Sequence, residues 1–364
     1  MAFILTFLGK GGTGRTLSAI AAAKRLAQQG KRVLLAIQDP SPVPGQLLNF
    51  DLSIEPQPLE AHIEVVQFQS AALLEQSWEQ LKALEAQYLR TPFFKAVYGE
   101  ELGILPGMDS ALALNALREY DASGHYDAIV YDGLGGITML RMWGMPEILS
   151  WYIRRFRQVF QNSDLGRTLS PFVQPVASAV LNVDWSGSLV DQQTNQVNDL
   201  MAQGRQAVND PARVAAYLVT TPNPAAIATA RYLWGSAQQV GLTVGGVIAS
   251  MASPGEIQAS EFAPLAISPV PAWQPSEWQP LTEAMPNFDQ AMQMPRPVAV
   301  DVASRQVRLF LPSFDKRQVK LTQYGPEVTI EAGDQRRNIL LPPELQGQSV
   351  SGAKFQAPYL IISF

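Results

Sequence analysis

The first 290 residues alternate between short, continuous apolar runs and longer segments that place apolar side chains every three or four positions. A continuous apolar run is typical of a strand that is covered on both faces. Six such runs predict strands: AFILTFLG, KRVLLAIQ, IEVVQFQ, YDAIVYDG, RVAAYLVTT and LTVGGVIAS. The helical spacing predicts helices over residues 16–29, 70–90, 145–160, 197–208 and 223–241, with further helical pieces up to 120 and irregular chain over 162–190. This alternation predicts a mostly parallel α/β sheet with helices on both faces.

The pattern changes after a proline-rich stretch at residues 252–280, which predicts a connection that leads into one short helix over 278–292. From residue 296, seven short β segments are separated by turn residues, which favours an all-β sandwich. We therefore predict a P-loop-type α/β domain over residues 1–293 and a β-sandwich over 294–364. A helical insert is expected at about 70–125 and 139–210.

Charge and composition exclude several classes of function. The net charge of -5 argues weakly against a nucleic-acid partner. The chain has no cysteine, which excludes disulfides, thiolate catalysis and cysteine-bound zinc, and its two histidines, His62 and His125, are far apart in sequence. We expect no zinc. No apolar run approaches the roughly 20 residues of a membrane span, and the immediate first strand leaves no room for a leader, so we expect a soluble cytoplasmic protein.

The segment GKGGTGRT lies between the first strand and the first helix, which is the context of a phosphate-binding loop. Backbone N–H groups of such a turn form a nest for phosphate oxygens, and the helix adds its positive end. The predicted nucleotide-binding residues of this segment are Gly9, Lys10, Gly11, Gly12, Thr13, Gly14, Arg15, Thr16 and Leu17. Thr16 has the offset that gives its hydroxyl to Mg²⁺. A glycine-rich turn without a ligand is the alternative.

Arg15 stands where such loops carry a lysine. The guanidinium keeps the positive charge but replaces a compact ammonium with a planar fork. It can bind phosphate with two hydrogen bonds, and it can also crowd the phosphates and slow turnover. We expect retained nucleotide binding and, if ATP is hydrolysed, weak ATPase activity.

This loop resembles the lysine-first phosphate loop of the dimeric ATPases that include the arsenite-pump ATPases and the tail-anchored-protein targeting ATPases. In that family the front lysine, which matches Lys10, reaches across the dimer to the partner's nucleotide. The resemblance extends to the first switch, where QDP places Asp39 on the residue that orients the attacking water. The segment YDGLGGITMLRMWGMPEIL resembles the family's second switch. In this match Asp132 is followed by a short polar loop to Arg141 and then by Pro146 and Glu147.

The resemblance implies ATP and Mg²⁺ as cofactors. It implies catalytic roles for Lys10, Arg15 and Asp39, and a metal site at Thr16, Asp39 and Asp132. The family's base-reading asparagine falls near Ser250. Without the resemblance, Asp39 and Asp132 are equally typical of residues that cap turns at strand ends.

The last 60 residues resemble the α-crystallin domain of small heat-shock proteins, with the strand, Leu-Pro, turn, strand order of RQVRLFLPSFDKRQVKL. An ATPase of this family with such an appended domain resembles the branch found in photosynthetic bacteria and plastids. The plastid stroma is the equivalent compartment if the chain is organellar.

Three functions are compatible with these features. The first is a homodimeric chaperone or targeting ATPase that shelters a hydrophobic segment of client proteins, with the methionine-rich stretch MLRMWGMPEILSWYIRRFRQVF near the client, or else in ordinary core. Its partners would be a second copy and the client; it would bind no nucleic acid and would meet membranes only through clients. The second is a catalytically weak nucleotide-binding scaffold with a static hydrophobic chamber. The third, a partitioning ATPase, is disfavoured by the acidic pI and the β-sandwich.

Overall fold

The computed structural model describes residues 1–88, 97–161, 190–275 and 277–364. Its centre is an eight-stranded sheet with the order β3-β4-β2-β5-β1-β6-β7-β8. All neighbouring pairs in this sheet are parallel except the edge pair of β3 and β4. The strands are β1 Phe3–Leu8, β2 Val33–Ile37, β3 Gln57–Glu60, β4 Ile63–Gln67, β5 Ala128–Asp132, β6 Val214–Thr220, β7 Val244–Ser250 and β8 Ile267–Val270.

Helices cover the sheet on both sides. The core between the sheet and these helices consists of two apolar clusters. The α-helices of the described residues are α1 Arg15–Gln28, α2 Val43–Leu48, α3 Ser70–Tyr88, α4 Met108–Ala122, α5 Ile137–Gln161, α6 Val190–Asn209, α7 Pro224–Gln239 and α8 Gln279–Ala284. The six predicted strands and the alternation with helices are confirmed. These strands could be predicted as continuous apolar runs because every residue of β2, β5, β6 and β7 is buried.

The prediction was wrong at two places where tertiary context decides the outcome. The edge strands β3 and β8 and the short helix α2 were missed, because each has only four to six residues and little apolar pattern of its own. The expected polar loop between Asp132 and Arg141 ends early, because α5 begins at Ile137 rather than near 145. Pro146 lies inside this helix, where Gly204 of α6 comes within van der Waals distance of its ring.

The remaining boundaries need smaller corrections. Helix α6 begins at Val190, seven residues before the predicted start, and the predicted irregular segment otherwise lies outside the described residues. The predicted helix over 278–292 is divided into α8 and a 3₁₀ segment at Phe288–Gln293.

The C-terminal region forms the predicted antiparallel sandwich. One sheet has four strands in the order β14-β15-β10-β9, and the other has three in the order β11-β12-β13. These strands are β9 Val298–Asp301, β10 Gln306–Phe310, β11 Val319–Tyr324, β12 Glu327–Ala332, β13 Gln335–Leu340, β14 Gly352–Gln356 and β15 Tyr359–Ser363. An apolar cluster that includes Val307, Ile330 and Ile362 lies between the sheets. We call this region the β module.

The β module packs directly on α7. Its Phe310 belongs to one of the two core clusters of the α/β region and meets the ring of Trp234 at a centroid distance of 5.8 Å. A Cβ atom on Gly235 would lie 2.4 Å from the carbonyl oxygen of Pro312, so only glycine permits this approach. Arg337 donates to the carbonyl of Gln238 at 2.7 Å, and enclosure of its guanidinium lowers the pKa to about 10.

Candidate functional site at the phosphate loop

The glycine-rich loop follows β1 and begins at Gly9, a position where only glycine fits. A Cβ on Gly9 would lie 2.2 Å from the carbonyl oxygen of Val219. Gly12 and Gly14 have positive φ angles of 81° and 88°, which side chains rarely adopt. The Thr13 hydroxyl donates to the carbonyl of Lys10 at 2.8 Å and closes the turn. The loop is therefore held in one shape by its own backbone.

The side of this loop that would meet a phosphate is open. Lys10, Gly11 and Gly12 are exposed, and a Cβ on either glycine would have no atom within 4 Å. Helix α1 begins directly after the loop, and no side chain caps its first N–H groups. Free N–H groups at the end of a 14-residue helix suit an anion. The geometry therefore fits a bound phosphate group.

Two further predicted residues border this loop. Ser250, the last residue of β7, has its hydroxyl 3.3 Å from where a Cβ of Gly14 would lie. Leu17, by contrast, is partly buried and packs on the core cluster under α1. Any contact of Leu17 with a nucleotide would therefore involve its backbone.

Asp132 ends β5 and lies beside the start of α1. It is 5 % exposed, and burial raises the pKa of its carboxyl to about 6. A hydrogen bond from Thr16 and the charge of Arg15 lower this pKa, whereas the charge of Asp39 raises it. The structure thus brings together four predicted site residues: Thr16, Asp132, Arg15 and Asp39.

Arg15 spans the gap between the phosphate loop and the loop after β5. Its Nη1 donates to the carbonyl oxygen of Gly133 at 3.0 Å. Gly135, at φ 65°, lies so close that a Cβ there would be 1.5 Å from this nitrogen. Desolvation lowers the pKa of Arg15, which Asp132 partly offsets. In this structure the guanidinium fills the space that Gly135 leaves, and it contacts the second switch loop.

The first switch loop is held by a glutamine that the sequence analysis did not single out. The buried Gln67 donates through Nε2 to the carbonyls of Asp39 at 2.8 Å and Ser41 at 3.0 Å. The carboxylate of Asp39 in turn accepts from the backbone N–H of Ser41 at 2.9 Å. Gln67 follows the apolar pair Val65–Val66 at the end of β4, and a polar side chain at that position is the sequence signal that indicates such a role.

Comparison with known proteins agrees with this geometry. Residues 1–266 match the model of the anion-transporting ATPase family, and residues 303–364 match the HSP20-like domain found in such ATPases. The chain belongs to the anion-transporting ATPase family. The expected resemblance of both parts of the chain is confirmed, and the P-loop fold with an HSP20-like β-sandwich is shown.

Individual relatives align with this chain over different shares of their length. A Chlorobaculum tepidum protein, assigned by name to the arsenical pump-driving ATPases, is 29% identical over 199 residues, which cover 54% of this chain and 49% of that protein. A Cryptosporidium parvum ATPase ASNA1 homolog is 26% identical over 230 residues, or 59% of this chain and 55% of the homolog. An uncharacterized Streptomyces coelicolor protein is 24% identical along 99% of this chain and 96% of its own length. The chain thus spans about half the length of the first of these relatives.

Three residues of the expected second switch lie on α5. The guanidinium of Arg141 pairs with Asp334 of the β module at 2.5 Å. Glu147 lies 3.7 Å from Arg205 of α6, and Pro146 packs against the same helix. Arg141 therefore links α5 to the β module, whereas Pro146 and Glu147 link α5 to α6.

The methionines of α5 divide between core and cavity. Met139 and Met142 are each 1% exposed and pack beneath the sheet, so they are ordinary core residues. Met145 lines a cavity between helices. Ile148 and Tyr152, four residues apart on the same helix, are 38% and 50% exposed.

The donors at the phosphate loop suit Mg²⁺ in their chemistry. Oxygen ligands are the ones that this ion prefers, and Thr16 and Asp132 offer a hydroxyl and a carboxylate in mutual contact. Arg15 offsets only part of the cost of burying the Asp132 carboxylate, and a bound metal ion would supply further positive charge. In the described parts of the chain, no three Asp, Glu or His side chains form a metal cluster. A magnesium ion here would therefore share its coordination with phosphate oxygens and water.

Of the helices in the described residues, none combines the length and the apolar character that crossing a bilayer requires.

Proposed function

We propose that this chain is a nucleotide-binding, homodimeric ATPase that acts as a chaperone or targeting factor for hydrophobic segments of client proteins. The observation that carries the proposal is the contact of Thr16, Arg15 and Asp132 beside an open, glycine-built phosphate loop. Membership of the ATPase family and the printed names of the relatives support it. We also propose the division into domains at residue 293.

Each residue of the proposed site has a physical role. Lys10 and Arg15 would neutralise the phosphates, Lys10 from across a dimer. Thr16 and Asp132 would hold Mg²⁺, with Asp39 nearby, and Ser250 would lie near the base. Mg²⁺ supplies charge neutralisation on the transferred phosphoryl group. Asp39 would orient the attacking water, and the fixed backbone of residues 9–14 would stabilise developing charge.

The client-binding half of the proposal is supported by exposed apolar side chains on the helical part of the chain. Four large apolar residues there are between 38% and 54% exposed: Ile104, Leu105, Ile148 and Tyr152. Leu134, in the loop after β5, is 46% exposed. Large apolar side chains that adjoin one another on a surface are typical of an interaction site. A second copy and a client segment would together cover these side chains, and the protein would work in the cytoplasm or the plastid stroma.

The first experiment measures steady-state phosphate release from Mg-ATP. We expect slow turnover by the wild type that is lost in Asp39→Asn and in Lys10→Ala, with faster turnover in Arg15→Lys. The control variant is Asp51→Asn, an exposed aspartate in the loop before β3. Turnover that survives both substitutions at Asp39 and Lys10 would refute the proposed catalytic site.

Two further measurements test the other parts. Sedimentation with and without ATP should show a dimer, and a monomer under both conditions would overturn the homodimer. A fluorescent apolar helical peptide should bind the full chain, and Ile148→Glu with Tyr152→Glu should weaken its binding.

One observation favours the alternative of a weak scaffold. Arg15 is hydrogen-bonded to the carbonyl of Gly133, so its guanidinium is engaged there and not directed at a phosphate. If wild type and all variants are silent in phosphate release while the apolar peptide still binds, the static scaffold replaces the ATPase.

A further inference from the structure

A cavity lies at the edge of the sheet opposite the phosphate loop. It is bounded by α4, α5 and α6 and by the amino-terminal ends of β1 and β6, represented by Ile4 and Val214. Its volume is about 360 Å³, within the range of small-molecule sites. Ile4, which lines the cavity, lies about 16 Å along β1 from Gly9 of the phosphate loop. The cavity is therefore distinct from the nucleotide site.

The walls of this cavity are mainly apolar, and its rim is polar. The apolar side chains that the three helices supply include Leu114, Leu117, Trp143, Met145, Leu149 and Met201. The polar residues of its lining include Asn115, Arg118, Asp121 and Arg213. An apolar chamber with a few polar groups at one side suits an amphipathic molecule rather than a fully polar or fully apolar one.

The two arginines at the rim differ in their partners. Arg213 pairs closely with Asp121, with Nη2 and Oδ2 2.7 Å apart. Arg118 lies 3.5 Å from the nearest carboxylate oxygen of Glu119 and directs Nε and Nη2 at the amide oxygen of Asn115 instead, at 3.1 and 2.8 Å. Asn115 is 9% exposed and fixes the guanidinium at the cavity edge. Arg118 is therefore the cation positioned to receive an anionic head group.

The wall also contains a buried donor without an acceptor. Trp143 is 2% exposed, and its indole Nε1–H finds no hydrogen-bond partner among the described residues. An unpaired buried N–H is costly, and a ligand oxygen inside the cavity would satisfy it. The lining of the cavity thus includes a guanidinium that suits a carboxylate and an unpaired indole N–H that suits an oxygen acceptor.

We propose that this cavity binds an oxygenated fatty acid, a monocarboxylic acid whose apolar tail carries a hydroxyl or keto oxygen. The carboxylate pairs with Arg118, the tail fills the space between α4, α5 and α6, and the tail oxygen accepts from the indole of Trp143. The proposal does not depend on ATP hydrolysis, because it uses none of the residues assigned to the phosphate loop. Three lining residues, Trp143, Met145 and Leu149, belong to the methionine-rich stretch of α5 that the client hypothesis also uses.

The test uses the full chain and two probes, stearate and a hydroxystearate with its hydroxyl in the middle of the tail. Binding is measured by calorimetry. We expect the hydroxylated acid to bind more tightly, and the difference to vanish in Trp143→Phe. Arg118→Gln should weaken both acids about tenfold, which corresponds to the loss of one charge-assisted hydrogen bond. Equal binding of the two acids to the wild type would refute the role of the indole.

Matched variants separate the cavity from nonspecific binding. Ala207→Phe fills the cavity and should abolish binding, whereas Ala202→Phe places the same ring on the exposed side of the same helix and should bind as the wild type does. Arg231→Gln, on α7 outside the cavity, is the control for loss of an arginine. If Ala207→Phe and Arg118→Gln both bind like the wild type, the acid binds elsewhere and the proposal is wrong. Thermal unfolding of each variant confirms that it is folded.

Discussion

The guanidinium of Arg154, on α5, donates to the carboxylate of Glu327, the first residue of β12, with Nη2 and Oε1 2.8 Å apart. The indole of Trp151 donates to the other oxygen of the same carboxylate at 2.9 Å. Thirteen residues earlier, Arg141 pairs with Asp334. The helix that begins at the second switch loop is therefore attached to the β module at two points about 20 Å apart.

This attachment predicts a large effect of Glu327→Ala on stability. Glu327 is mostly buried, and its loss leaves the indole of Trp151 and the guanidinium of Arg154 without this acceptor, so the free energy of unfolding should fall by about 2–3 kcal/mol. Glu331→Ala is the matched control, because Glu331 lies on the same strand but pairs with the exposed Arg336. The control should cost under about 1 kcal/mol. Urea denaturation that gives equal costs for the two variants would contradict the attachment.

The contact between Arg15 and Gly135 predicts strong non-additivity. Gly135→Ala introduces a Cβ that collides with the guanidinium and also strains a left-handed residue, so it should destabilise the wild type by more than the roughly 1–2 kcal/mol of the backbone strain alone. In an Arg15→Ala background the collision disappears. The double-mutant cycle should show a coupling energy of about 1–2 kcal/mol.

Gly136→Ala is the control for that cycle, because a Cβ there would meet no atom within 4 Å and its φ is not positive. It should be additive with Arg15→Ala. Coupling at Gly136 equal to that at Gly135 would mean that Arg15 is not confined by the loop.

The buried carboxyl of Asp132 predicts a dependence of stability on pH. Its pKa in the folded protein, about 6, exceeds the ordinary 3.8, so its contribution to stability is greatest below 3.8 and is lost as the pH rises through 6. Asp132→Asn avoids that loss. In EDTA at pH 7.5 the variant should be more stable than the wild type, by at most about 3 kcal/mol, with the advantage shrinking towards pH 4.

Magnesium and ATP should reverse that order. A bound cation stabilises the ionised carboxylate, so Mg-ATP should raise the melting temperature of the wild type and leave that of Asp132→Asn nearly unchanged. Differential scanning calorimetry at pH 7.5 measures both. An equal rise in the two proteins would show that Asp132 is not near the metal.

Gln67 predicts an effect on turnover through the first switch loop. Gln67→Ala removes both hydrogen bonds that hold the carbonyls of Asp39 and Ser41, so the attacking water should lose its orientation. If the proposed ATPase is active, its kcat should fall about tenfold or more while nucleotide affinity changes little. Gln69→Ala removes an exposed amide two residues away and should leave kcat unchanged. A loss of affinity without a change in kcat would show that Gln67 serves binding instead.

The sequence predicted the parts of the fold that depend on local pattern. The buried strands on either side of the phosphate loop read directly as apolar runs, because nearly every residue of them faces core. The phosphate loop could be predicted because its turn requires positive φ angles at Gly12 and Gly14, which does not depend on contacts with distant residues. The seven strands of the β module were visible from their turn residues.

The parts that could not be predicted depend on contacts between distant residues. Arg15 was expected at the phosphates, but its distance to Gly133 is set by the loop after β5, 118 residues later. Arg141 and Pro146 were matched to the second switch by their order in the motif, and the start of α5 at Ile137 places both of them on that helix. The role of Gln67 depends on the two carbonyls that it holds, which belong to a loop 26 and 28 residues earlier in the chain.

Phe310 has a consequence for how the two regions can change independently. Because this side chain of the β module completes a core cluster of the ATPase domain, and Gly235 is fitted to Pro312, the joint between them is built like the inside of one domain. A gene that lost the module in a single step would leave Trp234 facing water. Heating should therefore unfold both regions in one transition. The β module could be lost without exposing apolar surface only after the face of α7 that it covers had acquired polar residues.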